Sequence, residues 1–112
     1  MTHLTMTDDQ GFGPASGLKP GQSAEQRVLA SHDDNTHVLI WKTDGGTFGS
    51  DGSAYGETFV VLSGEATITL ADQAPVALRE GSVFHRPLGT PNVLDIPGPF
   101  RKLTMVVLAP QT

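Results

Sequence analysis

Short stretches rich in Val, Ile, Leu, Thr and Phe alternate with tight turn signals along most of the chain, and this punctuation limits the fold more than any other feature. The stretches are Gln26–Ser31, His37–Thr43, Thr58–Leu62, Glu65–Leu70, Val76–Arg79, Ser82–Arg86, Asn92–Asp95 and Lys102–Ala109. Between them lie Asp33-Asp34-Asn35, Asp44-Gly45-Gly46, Ser63-Gly64, Asp72-Gln73, Glu80-Gly81, Pro87 to Pro91 and Pro97-Gly98-Pro99. Thirteen glycines and eight prolines supply most of these breaks, about a fifth of the chain against an average near ~12%. No window repeats apolar residues at helical spacing over three turns, so little or no helix is expected. Eight antiparallel strands of this length predict an all-β domain, a single antiparallel β-barrel or jelly roll with room for one small ligand.

A chain of 112 residues has room for one domain. Residues 1–24 carry few large apolar side chains and cannot repay their own ordering entropy, which predicts a flexible arm or a swapped edge strand. Residues 25–112 then form the barrel. Seven Lys and Arg stand against twelve Asp and Glu, a net charge of −5, with no basic cluster to neutralise phosphates, so no nucleic-acid partner is expected. No apolar run approaches the ~20 residues that span a bilayer, and the start lacks a signal-peptide pattern. The absence of cysteine excludes disulfides, thiolate catalysis and Cys-bound zinc. A small, acidic, soluble cytoplasmic domain is the expectation.

Alternation then assigns faces. Glu65, Thr67 and Thr69 face one way and Ala66, Ile68 and Leu70 the other, as in a half-buried antiparallel strand. Thr58–Leu62 is apolar on both sides. If Phe59 and Val61 face the interior, Glu57 stands at its mouth on the same face.

Two spaced motifs in the chain resemble those of the cupins, a family of small β-barrels. Gly45, Asp51, Ser53, Glu57 and Gly64 fall at the spacing of the first cupin motif, and Gly81, Pro87, Gly89, Asn92 and Ile96 at that of the second. In the family, three histidines and the glutamate converge on one metal. Here Asp51, Ser53 and Asn92 replace the histidines and only Glu57 is kept. An all-oxygen set lacks the nitrogen donors that Mn, Fe, Ni, Cu and Zn prefer, so no cofactor is expected beyond a weak divalent cation at Glu57. The run Arg101-Lys102-Leu103 is similar to the subgroup of ethanolamine-utilisation-type and ureidoglycine-aminohydrolase-type cupin domains, whose members often lack the motif histidines. That subgroup tends to carry a Trp near the fourth ligand position; this chain has Asn92 and no Trp there.

Glu57 leads the candidate residues, as a general acid/base or polar anchor whose pKa burial would raise. His85 would complete an acid/base pair if it faced inward, but Val83 and His85 alternate with Phe84 and Arg86 and the sequence does not fix which pair is inside. Phe59 and Val61 with Glu57, and Asn92, Asp51 and Ser53 by motif position, are the expected ligand-binding set, although the stretch from Gly49 to Ser53 also reads as a plain solvated loop. Trp41 and Phe48 read as core or dimer-contact aromatics. Arg101 and Lys102 point to opposite faces of one strand, and His3, His32 and His37 read as surface residues. The leading functional reading is a cupin that holds a small polar or carboxylate-bearing molecule with its metal site degraded. The alternatives are a metal-independent acid/base enzyme (isomerase, cyclase, lyase or amide hydrolase) built on Glu57, and an accessory or sensory subunit. The apolar stretch His37–Thr43 and the unpaired arm predict a homodimer.

Overall fold

The structure is a computed structural model and describes residues 9–110. The ten strands are β1 (Gly13–Pro14), β2 (Glu25–His32), β3 (Thr36–Thr43), β4 (Gly46–Ser50), β5 (Tyr55–Ser63), β6 (Ala66–Leu70), β7 (Val76–Leu78), β8 (Val83–Arg86), β9 (Asn92–Ile96) and β10 (Phe100–Leu108). Every pairing is antiparallel. They form two sheets, a six-stranded one in the order β1-β2-β3-β10-β5-β8 and a four-stranded one in the order β4-β9-β6-β7. The sheets face each other as a jelly-roll sandwich rather than a closed barrel, and no helix occurs among the described residues. None is therefore long and apolar enough to cross a membrane.

Eight of the ten strands lie where the turn punctuation puts them. β4 is the departure of consequence: Gly46 reads as a turn and Gly49 and Ser50 as a solvated loop, yet residues 46–50 form a strand paired with β9. A glycine-rich segment has little strand propensity, but here its missing side chains permit the pairing. A Cβ on Gly49 would lie 2.6 Å from the Asn92 carbonyl oxygen.

The closed end of the sandwich is apolar. Phe59 and Val61 of β5 pack with Ala66, Ile68, Leu78, Leu94, Ile96 and Phe100 in one core cluster. The outer face of the six-stranded sheet is mixed, with Val83, Met105 and Val107 left exposed.

Residues 9–24 pack against both sheets. Asp9 pairs with Lys42 and Arg101 on the outer face of the large sheet, and its carboxyl is held below the ordinary range, chiefly by the Lys42 hydrogen bond. The Phe12 ring meets the Lys42 ammonium at 4.3 Å and the guanidinium groups of Arg27 and Arg101 at 5.1 and 5.3 Å. The chain then crosses to the small sheet, where Lys19 Nζ donates to the Gly49 carbonyl and Gln22 Nε2 to that of Thr47. The remainder of the expected arm, residues 1–8 with His3, and the last two residues of the expected barrel lie outside the described residues.

Candidate functional site

Between the two sheets, at the end opposite the apolar core, lies an open cavity of about 660 Å³. Its walls come from β2, β3, β5 and β10 of the large sheet, β4 and β9 of the small one, and the strap formed by residues 16–22. The volume is that of a small-molecule pocket.

Glu57 reaches this cavity from β5 because it shares the inward face with Phe59 and Val61. It has partners there that the sequence did not point to. The pairing of β5 with β10 sets Lys102 and Thr104 beside it, and the pairing with β8 sets Arg86 opposite. Lys102 Nζ lies 3.3 and 3.2 Å from the two carboxylate oxygens, and Thr104 Oγ1 donates to Oε2 at 2.8 Å. Arg86 Nε stands 3.9 Å from Oε1. Burial alone would raise the Glu57 pKa, but the Lys102 ammonium, the Thr104 hydroxyl and Arg86 together outweigh it and hold the group below its usual value. The expected rise toward neutrality is therefore corrected: Glu57 is an ionised member of a buried ion cluster.

Arg86 is the least accommodated member. It is 0% exposed. Its guanidinium lies against the Tyr55 ring, Cζ to centroid 4.7 Å, and Nε, Nη1 and Nη2 have no hydrogen-bond partner among the described residues. Buried guanidinium donors left this way are costly and call for an explanation. Tyr55 itself is pushed to a higher pKa by burial and by the Glu57 charge, so its phenol stays protonated. Lys102 Nζ is enclosed by two aromatic faces, 4.5 Å from the Phe59 centroid and 5.1 Å from that of Trp41.

The other expected site residues separate into those inside and those outside. Asn92 lines the cavity and donates from Nδ2 to Ser50 Oγ at 3.3 Å. Asp51 and Ser53 do not line it: both are exposed, Ser53 donates from its amide and hydroxyl to Asp51 Oδ1, and these bonds lower the Asp51 pKa. Phe59 and Val61 are core residues, 2% and 1% exposed, and are absent from the cavity walls. His85 stands on the outer face, its Nδ1 2.8 Å from Thr58 Oγ1. Strand alternation requires this once Arg86 pairs inward with Glu57, so no Glu57–His85 acid/base pair forms. Trp41 and Phe48, expected in the core or at a dimer contact, pack against the core cluster and also line the cavity, as does His37, expected at the surface. Trp41 and Phe48 meet edge to face at 4.9 Å.

Sequence reasoning missed Lys102 and Arg86 as partners of Glu57. Facing alternation in Arg101-Lys102 and His85-Arg86 narrows each pair to one inward residue, but only strand register selects which.

Among the described residues no group of three His, Cys, Asp or Glu side chains is placed to hold a metal ion. The donors present do not fit a divalent cation: the one carboxylate is already bonded to an ammonium, and a guanidinium stands beside it.

Comparison with known proteins gives a family model, described as the EutQ-like cupin domain, that matches residues 30–103. Among solved structures, a protein titled ethanolamine utilization protein Q from Salmonella typhimurium LT2 is similar at a TM-score of 0.73 and 22% identity, covering 88% of this chain and 80% of that one. The EutQ protein of Clostridium difficile gives 0.66 and 18%, covering 81% and 66%. The Cnp3 cupin domain of Schizosaccharomyces pombe gives 0.68 and 14%, covering 79% and 63%. This chain thus spans just under two thirds of the length of the last two structures. No curated protein matches.

Proposed function

Since the chain belongs to the EutQ-like cupin family and lacks the three histidines of the metal-binding cupin motif, we propose that it binds a small carboxylate-bearing molecule in the cavity between the sheets, with Lys102 and Arg86 in place of a metal as the source of positive charge. The observation that carries this reading is the Arg86 guanidinium, fully buried and without a hydrogen-bond partner among the described residues. With Lys102 it sets two cations against the single carboxylate of Glu57. A ligand carboxylate entering beside Lys102, Thr104 and Tyr55 supplies the missing negative charge in a region where burial strengthens such contacts. Asn92 and Ser50 at the opposite wall offer polar contacts to the rest of the molecule.

The acid/base enzyme reading is less well supported. A carboxylate held ionised by Lys102 makes a poor general acid, and His85, the partner that reading assigned to it, stands on the other face of the sheet. In the reading proposed here, Glu57 orients the cations and does not transfer a proton.

The test is a backbone-amide NMR titration of the whole chain with propionate and with propionamide, which differ in charge but little in shape. Shifts at Glu57, Thr104 and Asn92 with propionate alone, lost in Lys102→Met, support the reading. Equal shifts with the amide, or none with either, overturn it.

A further inference from the structure

Beyond the ion cluster, the cavity changes character. Most of its wall is apolar, with Leu39, Trp41, Phe48, Leu94, Val106 and Leu108, and Ser50, Asn92, Gln22 and Gln26 supply neutral polar groups. The charges are also few. In the walls Lys102 is positive, Glu57 is negative, and His37 and Tyr55 are the other titratable groups; the positive Arg86 is buried behind them, beside Glu57 and Tyr55. One positive charge is left uncompensated at the floor, and the walls offer no further Lys or Arg to meet a second anionic group. The strap adds the apolar Leu18 to the walls.

From this division we infer that the ligand is a monocarboxylate with an apolar body, an aliphatic chain or an aromatic ring, its head at Lys102 and its body against the Trp41 wall. The inference rests on the carboxylate reading above and adds the remainder of the molecule to it. Short dicarboxylates fit poorly. Their second carboxylate would be taken from water with no second Lys or Arg in the walls to meet it, only neutral polar groups such as Asn92 and Ser50 and the apolar side chains around Trp41. An alkyl chain in the same place gains with each methylene that leaves water.

Trp41 is the only tryptophan in the chain and lines the cavity, 5.1 Å from the Lys102 ammonium, so its fluorescence reports on this site. The experiment titrates the whole protein with acetate, butanoate, hexanoate and octanoate, then with adipate and suberate, octanamide and octanol. Affinity should rise along the monocarboxylates by up to about fourfold per methylene, with the dicarboxylates and the two neutral compounds trailing their partners of equal length. Equal affinity from acetate to octanoate, with acids still ahead of amides, removes the apolar body and leaves the carboxylate reading standing. Dicarboxylates matching monocarboxylates would also overturn the inference. Octanamide equal to octanoate overturns the carboxylate reading, and this inference with it. Lys102→Met should erase the preference of acid over amide and keep the gain per methylene; if that variant does not fold, the wild-type series decides alone.

Discussion

Along the inward face of β5, Glu57, Phe59 and Val61 follow one another at two-residue intervals, yet they belong to regions built on opposite terms. At Phe59 and Val61 the two sheets close on an apolar cluster in which every side chain meets carbon. At Glu57 the same strand enters a cavity where a carboxylate, an ammonium and a guanidinium are held out of water. The first region stabilises the fold through burial of apolar surface. The second gains little net stability, because desolvating ions offsets most of their attraction, and it is retained for recognition in the reading proposed here. Two residues of strand separate them.

The contrast has consequences that can be measured. Phe59→Ala should cost about 3–5 kcal/mol by denaturant unfolding, because a large side chain is lost from a core that cannot collapse around the gap. Glu57→Gln should cost nearly as much, about 3 kcal/mol, but for a different reason: it leaves the charges of Lys102 and Arg86 uncompensated in the interior. The two are told apart by pH. Glu57 has a lowered pKa in the folded state, so its contribution is fully present above the ordinary carboxylate range and disappears as pH falls through the folded value. Unfolding curves of wild type and Glu57→Gln should therefore converge toward low pH, whereas Phe59→Ala stays a constant step below wild type. A constant gap for both would mean that Glu57 is no more than a space-filling residue.

Smaller effects concern the turns that hold the two regions together. Gly64 and Gly81 both have φ +89, but a Cβ on Gly64 would lie 2.3 Å from the Pro99 carbonyl oxygen while one on Gly81 meets nothing within 4 Å. Gly81→Ala should lose about 1 kcal/mol through backbone strain alone. Gly64→Ala should lose distinctly more, and equal melting temperatures for the two variants would contradict this. The smallest expected effect is that of a chelator. With Glu57 engaged by cations, elemental analysis should find far less than one equivalent of Mn, Fe, Ni, Cu or Zn, and chelation should leave the melting temperature unchanged. Near-stoichiometric metal whose removal lowers that temperature would dissolve the distinction between this site and those of the histidine-bearing cupins.

Period-two alternation and turn residues carry most of the fold. They place eight strands and put Glu57, Phe59 and Val61 on one face, as found. They fail at β4, where glycine permits a strand only because β9 approaches closely, a relation between residues 46–50 and 92–96 that no local window contains. The site was less legible for the same reason. The motif spacing singles out Glu57 and Asn92, which do reach the cavity, and also Asp51 and Ser53, which lie beyond the end of β4 and turn into solvent. Lys102 lies 45 residues from Glu57, and its inward face follows from the register of β10 on β5. Register is set by the whole hydrophobic pattern and the connections, so one strand read alone leaves the choice between Arg101 and Lys102 open.

In the reading proposed above, the strap of residues 16–22 bears on how quickly a ligand enters or leaves. It is tied to β4 by Lys19 to Gly49 and Gln22 to Thr47 and to β2 by the Ser16 amide on Gln26 Oε1, all exposed bonds, and contributes Leu18 to the cavity walls. Detaching it breaks those contacts and leaves the Phe59 core intact, so it can open as a local unit well below the free energy of global unfolding. In that reading, residence time and affinity are then governed by different parts of the molecule, the ion cluster setting how tightly a guest is held and the strap how long its exit takes.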